Sequence, residues 1–196
     1  MLESLRDMDI DMIAPDHGLI FRGDDVAFAL DTYQMLAEQK PQKRAVIVYD
    51  TMWHTTEKMA MAIGSGLESV GVPMRIMSLK KNHHSAVMTE LSNCGAVIMG
   101  SPTHNNGVLP LVSAMLTYMK GLRPKNRVGA AFGSYGWSGE SAQFINDALA
   151  DMGMDMVGSD AVLRQQWGPD HQCLAACFEL GKQVGEALMK KIAEGA

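Results

Sequence analysis

The sequence predicts a doubly wound α/β fold, with five parallel strands in the order 2-1-3-4-5 and helices on both faces. Three observations predict it. From residue 45 onward, runs of strand length alternate with stretches of helical periodicity, and parallel strands need such crossovers, which are right-handed and place helices on both faces. The first run, 45–49, is continuously apolar and β-branched instead of alternating with polar residues, as befits a strand buried on both sides. Loops rich in hydroxyls, amides and glycine follow the first, third and fourth strands. In such a sheet ligands bind beyond the carboxyl ends of the strands, at the switch point between the first and third.

The chain begins outside that pattern. Residues 1–8 read as the end of a helix and 10–14 as a short strand running into Pro15-Asp16-His17-Gly18. A helix over 24–39 carries Val26, Leu30, Tyr33 and Leu36 at spacings of three and four, with Gly23 or Asp24 as its cap. The polar, proline-containing stretch Lys40-Pro41-Gln42-Lys43-Arg44 marks a boundary, which divides the chain into 1–40 and 41–196.

The regular pattern then starts with the strand Ala45-Val46-Ile47-Val48-Tyr49, which ends at Asp50. A helix over 55–70 stops at Gly71. The second strand, 72–79, has Pro73 at its start, which suits an outer position. A polar connection over 80–84 holds His83 and His84, adjacent residues expected to point apart in a solvated loop. A short helix over 86–92 leads to a central strand over 95–100. The helix over 110–120 turns Leu111, Met115 and Met119 toward the core, and 127–133 is the fourth strand. A helix over 141–152 and a less regular fifth strand within 156–165 precede the last helix, 169–192, whose apolar stripe includes Leu174, Phe178, Val184 and Leu188.

Composition excludes several functions. In 196 residues, 47% hydrophobic and 20% charged content describes a folded domain, and a net charge of -5 argues against a nucleic-acid surface. No apolar run approaches the roughly 20 residues that cross a bilayer, and the acidic N-terminus is no signal peptide, so a cytoplasmic protein is expected. Cys94, Cys173 and Cys177 read as small buried apolar side chains, not a disulfide framework or metal site. The 17 methionines suggest adaptable core packing.

The chemistry is concentrated in the three loops. Thr51, Thr55 and Thr56 surround the backbone N–H groups at the positive end of a helix. Neither the Gly-x-Gly-x-x-Gly of dinucleotide sites nor a Gly-Lys-Ser/Thr loop is present. Hydroxyls without a lysine suit a phosphate monoester such as that of flavin mononucleotide (FMN), while helix capping by the same residues is the alternative reading. The stretch 101–108 allows close backbone approach to a flat polar ligand, or is only a turn. In 134–140, Tyr135 and Trp137 lie among glycines with little local core to fill, which favours an aromatic ligand to stack against.

Residues 45–193 resemble a flavodoxin-like domain. The strings Tyr49-Asp50-Thr51-Met52-Trp53-His54-Thr55-Thr56-Glu57-Lys58-Met59-Ala60, Gly100-Ser101-Pro102-Thr103-His104-Asn105-Asn106 and Gly133-Ser134-Tyr135-Gly136-Trp137-Ser138-Gly139-Glu140 closely resemble those of the flavodiiron proteins, or A-type flavoproteins. The resemblance implies that Thr51, Met52, Trp53, His54, Thr55 and Thr56 hold the FMN phosphate and ribityl chain. It also implies that Ser101, Pro102, Thr103, His104, Asn105 and Asn106 line one side of the isoalloxazine. Ser134, Tyr135, Gly136, Trp137, Ser138 and Gly139 would line the other, with Trp137 as the ring-contacting aromatic.

Residues 9–18 resemble the last part of the metallo-β-lactamase-like domain that precedes the flavodoxin domain in that family, where the histidine matching His17 is an iron ligand. The helix over 24–39 would then be the interdomain helix. The sequence contains no His-x-Glu-x-Asp-His cluster, so residues 1–40 read as a remnant and a diiron centre is expected only with another domain or chain. A fragment, a truncated frame and half of a split enzyme are all consistent with this. The resemblance implies electron transfer through FMN, from rubredoxin, a reduced deazaflavin or another donor, to a diiron centre that reduces oxygen or nitric oxide. It also implies head-to-tail association into a homo-oligomer. The alternatives are a stand-alone NAD(P)H-dependent flavin or quinone reductase of the same fold and a non-redox interaction module.

Overall fold

The computed structural model describes residues 2–5 and 8–195. The chain forms two compact units, Met1–Lys40 and Pro41–Ala196.

The first unit begins with the short helix α1 (Leu2–Leu5); Met1, Arg6 and Asp7, which the sequence also assigns to this helix, lie outside the described residues. Strand β1 (Met12–Ile13) pairs antiparallel with β2 (Phe21–Arg22), so the expected strand over 10–14 is shorter and has a partner after the His17 turn. Helix α2 (Asp24–Glu38) follows Gly23, whose combination of φ 56° and ψ -128° only glycine adopts without strain. It closes at Gln39, in the left-handed region. Val26 and Ala29 are buried, whereas Phe28, Tyr33 and Leu36 are exposed.

The second unit carries the predicted sheet. In chain order it contains β3 (Ala45–Tyr49), α3 (Thr55–Ser69), β4 (Met74–Ser78), α4 (His84–Ser92), β5 (Ala96–Pro102), α5 (Pro110–Leu122), β6 (Val128–Tyr135), α6 (Ser141–Asp151), β7 (Asp155–Met156), β8 (Leu163–Gln166) and α7 (His171–Ala193). The strand order is β4-β3-β5-β6-β7, with β8 also paired to β6, and every pairing in this sheet is parallel. The fifth position is therefore split: β7 pairs with the start of β6 and β8 with its end, separated by a turn through Gly158 at φ 76°.

The period of two sorts side chains between two cores. Ala45, Ile47 and Tyr49 join one cluster with α3 and α7, and Val46 and Val48 join another with α4, α5 and α6. Six of the methionines (Met59, Met77, Met99, Met115, Met119 and Met154) are buried in these clusters. On α5 the core face is Val112, Met115, Leu116 and Met119, while Leu111 is exposed. On α7 it is Cys173, Cys177, Leu180, Val184 and Leu188, with Phe178 exposed and Leu174 half-buried. Glycines let α3 and α7 approach closely: a Cβ on Gly66 would lie 2.0 Å from the Phe178 carbonyl oxygen, and one on Gly181 2.0 Å from that of Ile63. Among the described residues, no helix is long and apolar enough to cross a membrane.

Candidate functional site

The site lies at the carboxyl ends of β3, β5 and β6. Both β5 and β6 run farther than their apolar segments suggest, so Ser101, Pro102, Ser134 and Tyr135 are strand residues held in register, with Ser101 opposite Gly133 and Pro102 opposite Ser134. Polar residues are satisfied there because the parallel ladder absorbs their backbone groups.

Hydroxyls knit the strand ends together. Thr56, on the first turn of α3, meets Ser134 with 3.0 Å between their Oγ atoms, and both residues are buried. The Ser101 hydroxyl accepts from the Leu109 N–H at 3.0 Å. Thr103 donates its N–H to the Ser134 carbonyl at 2.7 Å and its hydroxyl to Ser141 at 3.1 Å, while the Ser141 hydroxyl donates to the Ser101 carbonyl at 2.8 Å. These groups therefore set the shape of the crevice. None of them caps α3, which has no side-chain cap and whose N-cap residue is His54 in the left-handed region.

A cavity of about 420 Å³ opens between the loops, within the range of small-ligand sites. Thr51, Met52, Trp53 and Thr55 line one side and Pro102 and Thr103 another. Ser134, Tyr135, Gly136 and Trp137 form the third, joined by Trp167 and Gly168. Trp53 and Trp137 are 85% and 89% exposed, although large aromatic rings normally gain by burial. Buried Thr51 Oγ1 has no hydrogen-bond partner among the described residues, and a buried hydroxyl without one is costly.

The remaining sequence-predicted residues lie around this cavity. His54 turns away: its Nδ1 is 2.5 Å from Glu57 Oε2, and its ring borders a separate shallow hollow with Met61 and Leu174. Glu57 also accepts from the Tyr49 hydroxyl at 2.7 Å. Burial and the hydrogen bond to Glu57 push the Tyr49 phenol up to about 12, and the bonds from His54 and Tyr49 lower the Glu57 carboxyl. His104, Asn105, Asn106 and Gly107 form a tight turn closed by a His104–Gly107 bridge, with both asparagines in the left-handed region. Ser138 donates to Glu140 at 2.7 Å, and the Tyr135 ring packs 3.1 Å from where a Cβ on Gly139 would lie.

Four residues contribute that sequence reasoning missed, among them Gly168, which lines the cavity beside Trp167. Trp167 arrives through the β8–β6 pairing, its N–H donating to the Tyr135 carbonyl at 2.8 Å. The stretch Trp167-Gly168-Pro169, an aromatic residue in a glycine–proline break after a strand, was the available signal. Asp50 is 3% exposed and accepts from the Thr51 N–H at 2.7 Å. Lys80 donates to the Thr51 carbonyl at 2.5 Å, so the loop read as lacking a lysine has one from beyond β4.

Elsewhere, His17 is exposed in the β1–β2 turn, and no group of three or more His, Cys, Asp or Glu side chains among the described residues is arranged to hold a metal. His83 and His84 do not point apart: their rings lie 3.8 Å centroid to centroid, His83 caps α4, and His84 packs edge-on to Tyr118. All three cysteines are buried and free, with burial pushing the Cys94 thiol up to about 11.

Comparison with known proteins gives concordant matches. The flavodoxin family model matches residues 47–181. A rubredoxin-oxygen oxidoreductase of Megalodesulfovibrio gigas is 46% identical over 184 residues, covering 93% of this chain and 45% of that protein. A nitric oxide reductase of Moorella thermoacetica is 39% identical over 175 residues, covering 89% of this chain and 43% of that protein. The crystal structure of the flavodiiron protein from Giardia intestinalis superposes with a TM-score of 0.93 at 29% identity, covering 100% of this chain and 48% of that one. The chain thus spans less than half the length of these relatives.

Proposed function

This chain belongs to the flavodoxin family, as a flavodoxin-like domain related to flavodiiron proteins, and from that premise we propose that it binds FMN and transfers electrons. It receives them from rubredoxin or another electron donor and passes them to a diiron centre carried on a different domain or chain. The observation that carries this reading is the cavity itself. It is lined by exposed indoles and by Thr51 and Thr55 at the approach to α3, and the buried Thr51 hydroxyl has no hydrogen-bond partner among the described residues.

FMN needs a planar slot for its ring and donors for its phosphate, and the residues fit both needs. Trp53, Trp137 and Trp167 supply apolar ring surface. Thr51 and Thr55 supply hydroxyls, and the first turn of α3 supplies N–H groups at the positive end of its dipole. Bound FMN would supply the one- and two-electron redox chemistry. The protein holds and orients it: the Thr56–Ser134 and Thr103–Ser141 contacts fix the loops, and Met52 and Pro102 exclude water from the slot walls. His54 and Thr56, occupied by Glu57 and Ser134, act on the shape of the loop in this reading instead of contacting phosphate directly.

The remnant reading of residues 1–40, the oxygen or nitric oxide chemistry and the head-to-tail association belong to this proposal as properties of a larger assembly. An absorbance spectrum of the purified protein with added FMN, taken after gel filtration, tests the central part. Stoichiometric flavin that remains with the protein supports it. Folded protein that emerges without flavin overturns it. Steady NADH or NADPH oxidation by the isolated chain would favour the reductase alternative.

A further inference from the structure

The first residue of the loop before α3 is held from behind. Thr51 donates its N–H to Asp50 Oδ1 at 2.7 Å, and its carbonyl accepts from Lys80 Nζ at 2.5 Å. Its hydroxyl is buried and has no hydrogen-bond partner among the described residues, and the residue lines the cavity. Lys80 is not placed by chance. The Ser78 carbonyl at the end of β4 accepts from the N–H groups of Lys81 and Asn82, each at 3.0 Å, and from the Asn82 side chain at 2.9 Å, which pins the turn that presents Lys80.

The charges add a second reason for that lysine. Asp50 is almost fully buried at the base of the same loop, and a buried carboxylate repels a phosphate monoester brought to the neighbouring helix terminus. Lys80 Nζ stands 3.8 Å from Asp50 Oδ1 and offsets it. A ligand without phosphate would not feel this balance.

We propose that Lys80 is a positioning residue that makes the loop selective for a phosphorylated flavin over its dephosphorylated form, by fixing the Thr51 carbonyl and offsetting the Asp50 charge. The proposal rests on the FMN reading and deepens it. The test is calorimetric titration of wild type, K80M, K80Q, K80R and the double variant K80M/D50N with FMN and with riboflavin, at low ionic strength and one pH. In K80M the dissociation constant for FMN rises about fivefold and that for riboflavin less than about twofold. K80R keeps the wild-type preference, and K80M/D50N, with both charges removed, recovers most of it.

K80Q retains a donor for the Thr51 carbonyl without the charge. It keeps the test open should K80M fold poorly, and it loses FMN preference without losing riboflavin. Equal losses for both ligands, or no loss for either, overturn the selectivity role. Wild-type protein that binds riboflavin as tightly as FMN overturns it too while leaving flavin binding intact. Folded wild-type protein that binds neither overturns the functional reading and this one together.

Discussion

The indoles of Trp137 and Trp167 meet edge to face, with 5.7 Å between ring centroids and 67° between planes. The two residues come together because β8 runs parallel to the end of β6, and because Trp167 leaves that strand in the left-handed region, at φ 59°, and turns its ring over Gly136. Each indole fixes the other at the cavity wall. In W167A, FMN binding weakens about fivefold to tenfold, since such aromatic contacts contribute of the order of 1 kcal/mol. Calorimetry reads the loss, and a near-native melting temperature shows that the sheet survives.

The Thr56–Ser134 contact links the first turn of α3 to the end of β6 inside the protein. T56V leaves the Ser134 hydroxyl buried without its partner and costs about 1–2 kcal/mol. T56V/S134A removes both groups and recovers part of that loss. Urea denaturation of the four members of the cycle yields the coupling.

The α3–α7 crossing depends on two glycines. In G181A the new methyl group would lie 2.0 Å from the Ile63 carbonyl oxygen, which belongs to helix backbone and cannot swing aside. The helices must separate, at about 3 kcal/mol. Thermal unfolding should show a large drop, and G66A should behave alike.

Tyr49 makes stability depend on alkaline pH. Its phenol is raised to about 12 by burial and by the hydrogen bond to Glu57, whereas in the unfolded chain it ionises near 10. Below about pH 10 the protonated phenol contributes its full share, which is lost progressively as pH rises toward about 12. Glu57 has the opposite sign: its lowered carboxyl stabilises the fold above the ordinary carboxylate range and loses that contribution as pH falls from that range through its lowered folded value. Y49F should flatten the alkaline limb in chemical denaturation measured between pH 8 and pH 11, because it removes the ionising group.

The sheet was legible because strands such as 45–49 and 95–100 are continuous apolar runs, a pattern that local sequence carries. Their ends were less so: Ser101, Pro102, Ser134 and Tyr135 are polar or breaking residues that β5 and β6 retain through ladder pairing. The split of the fifth strand was foreshadowed by Gly158-Ser159-Asp160, a turn signal inside the segment. Helix faces were misjudged where a neighbouring residue packs better, as Val112 does instead of Leu111 and Cys177 instead of Phe178. Within the site, the three loops could be read from their residues. Trp167 carried a local signal in Trp167-Gly168-Pro169, but its place in the site, like that of Lys80, is set by strand pairing and by a turn after an edge strand, which bring both from distant sequence.

All three tryptophans of the chain line the one cavity assigned to FMN. Titrating FMN into the folded protein while recording tryptophan emission therefore tests the assignment most directly. Saturating FMN at one equivalent should quench most of the emission. Emission that stays unchanged while FMN binds stoichiometrically would place the flavin elsewhere and contradict the assigned site.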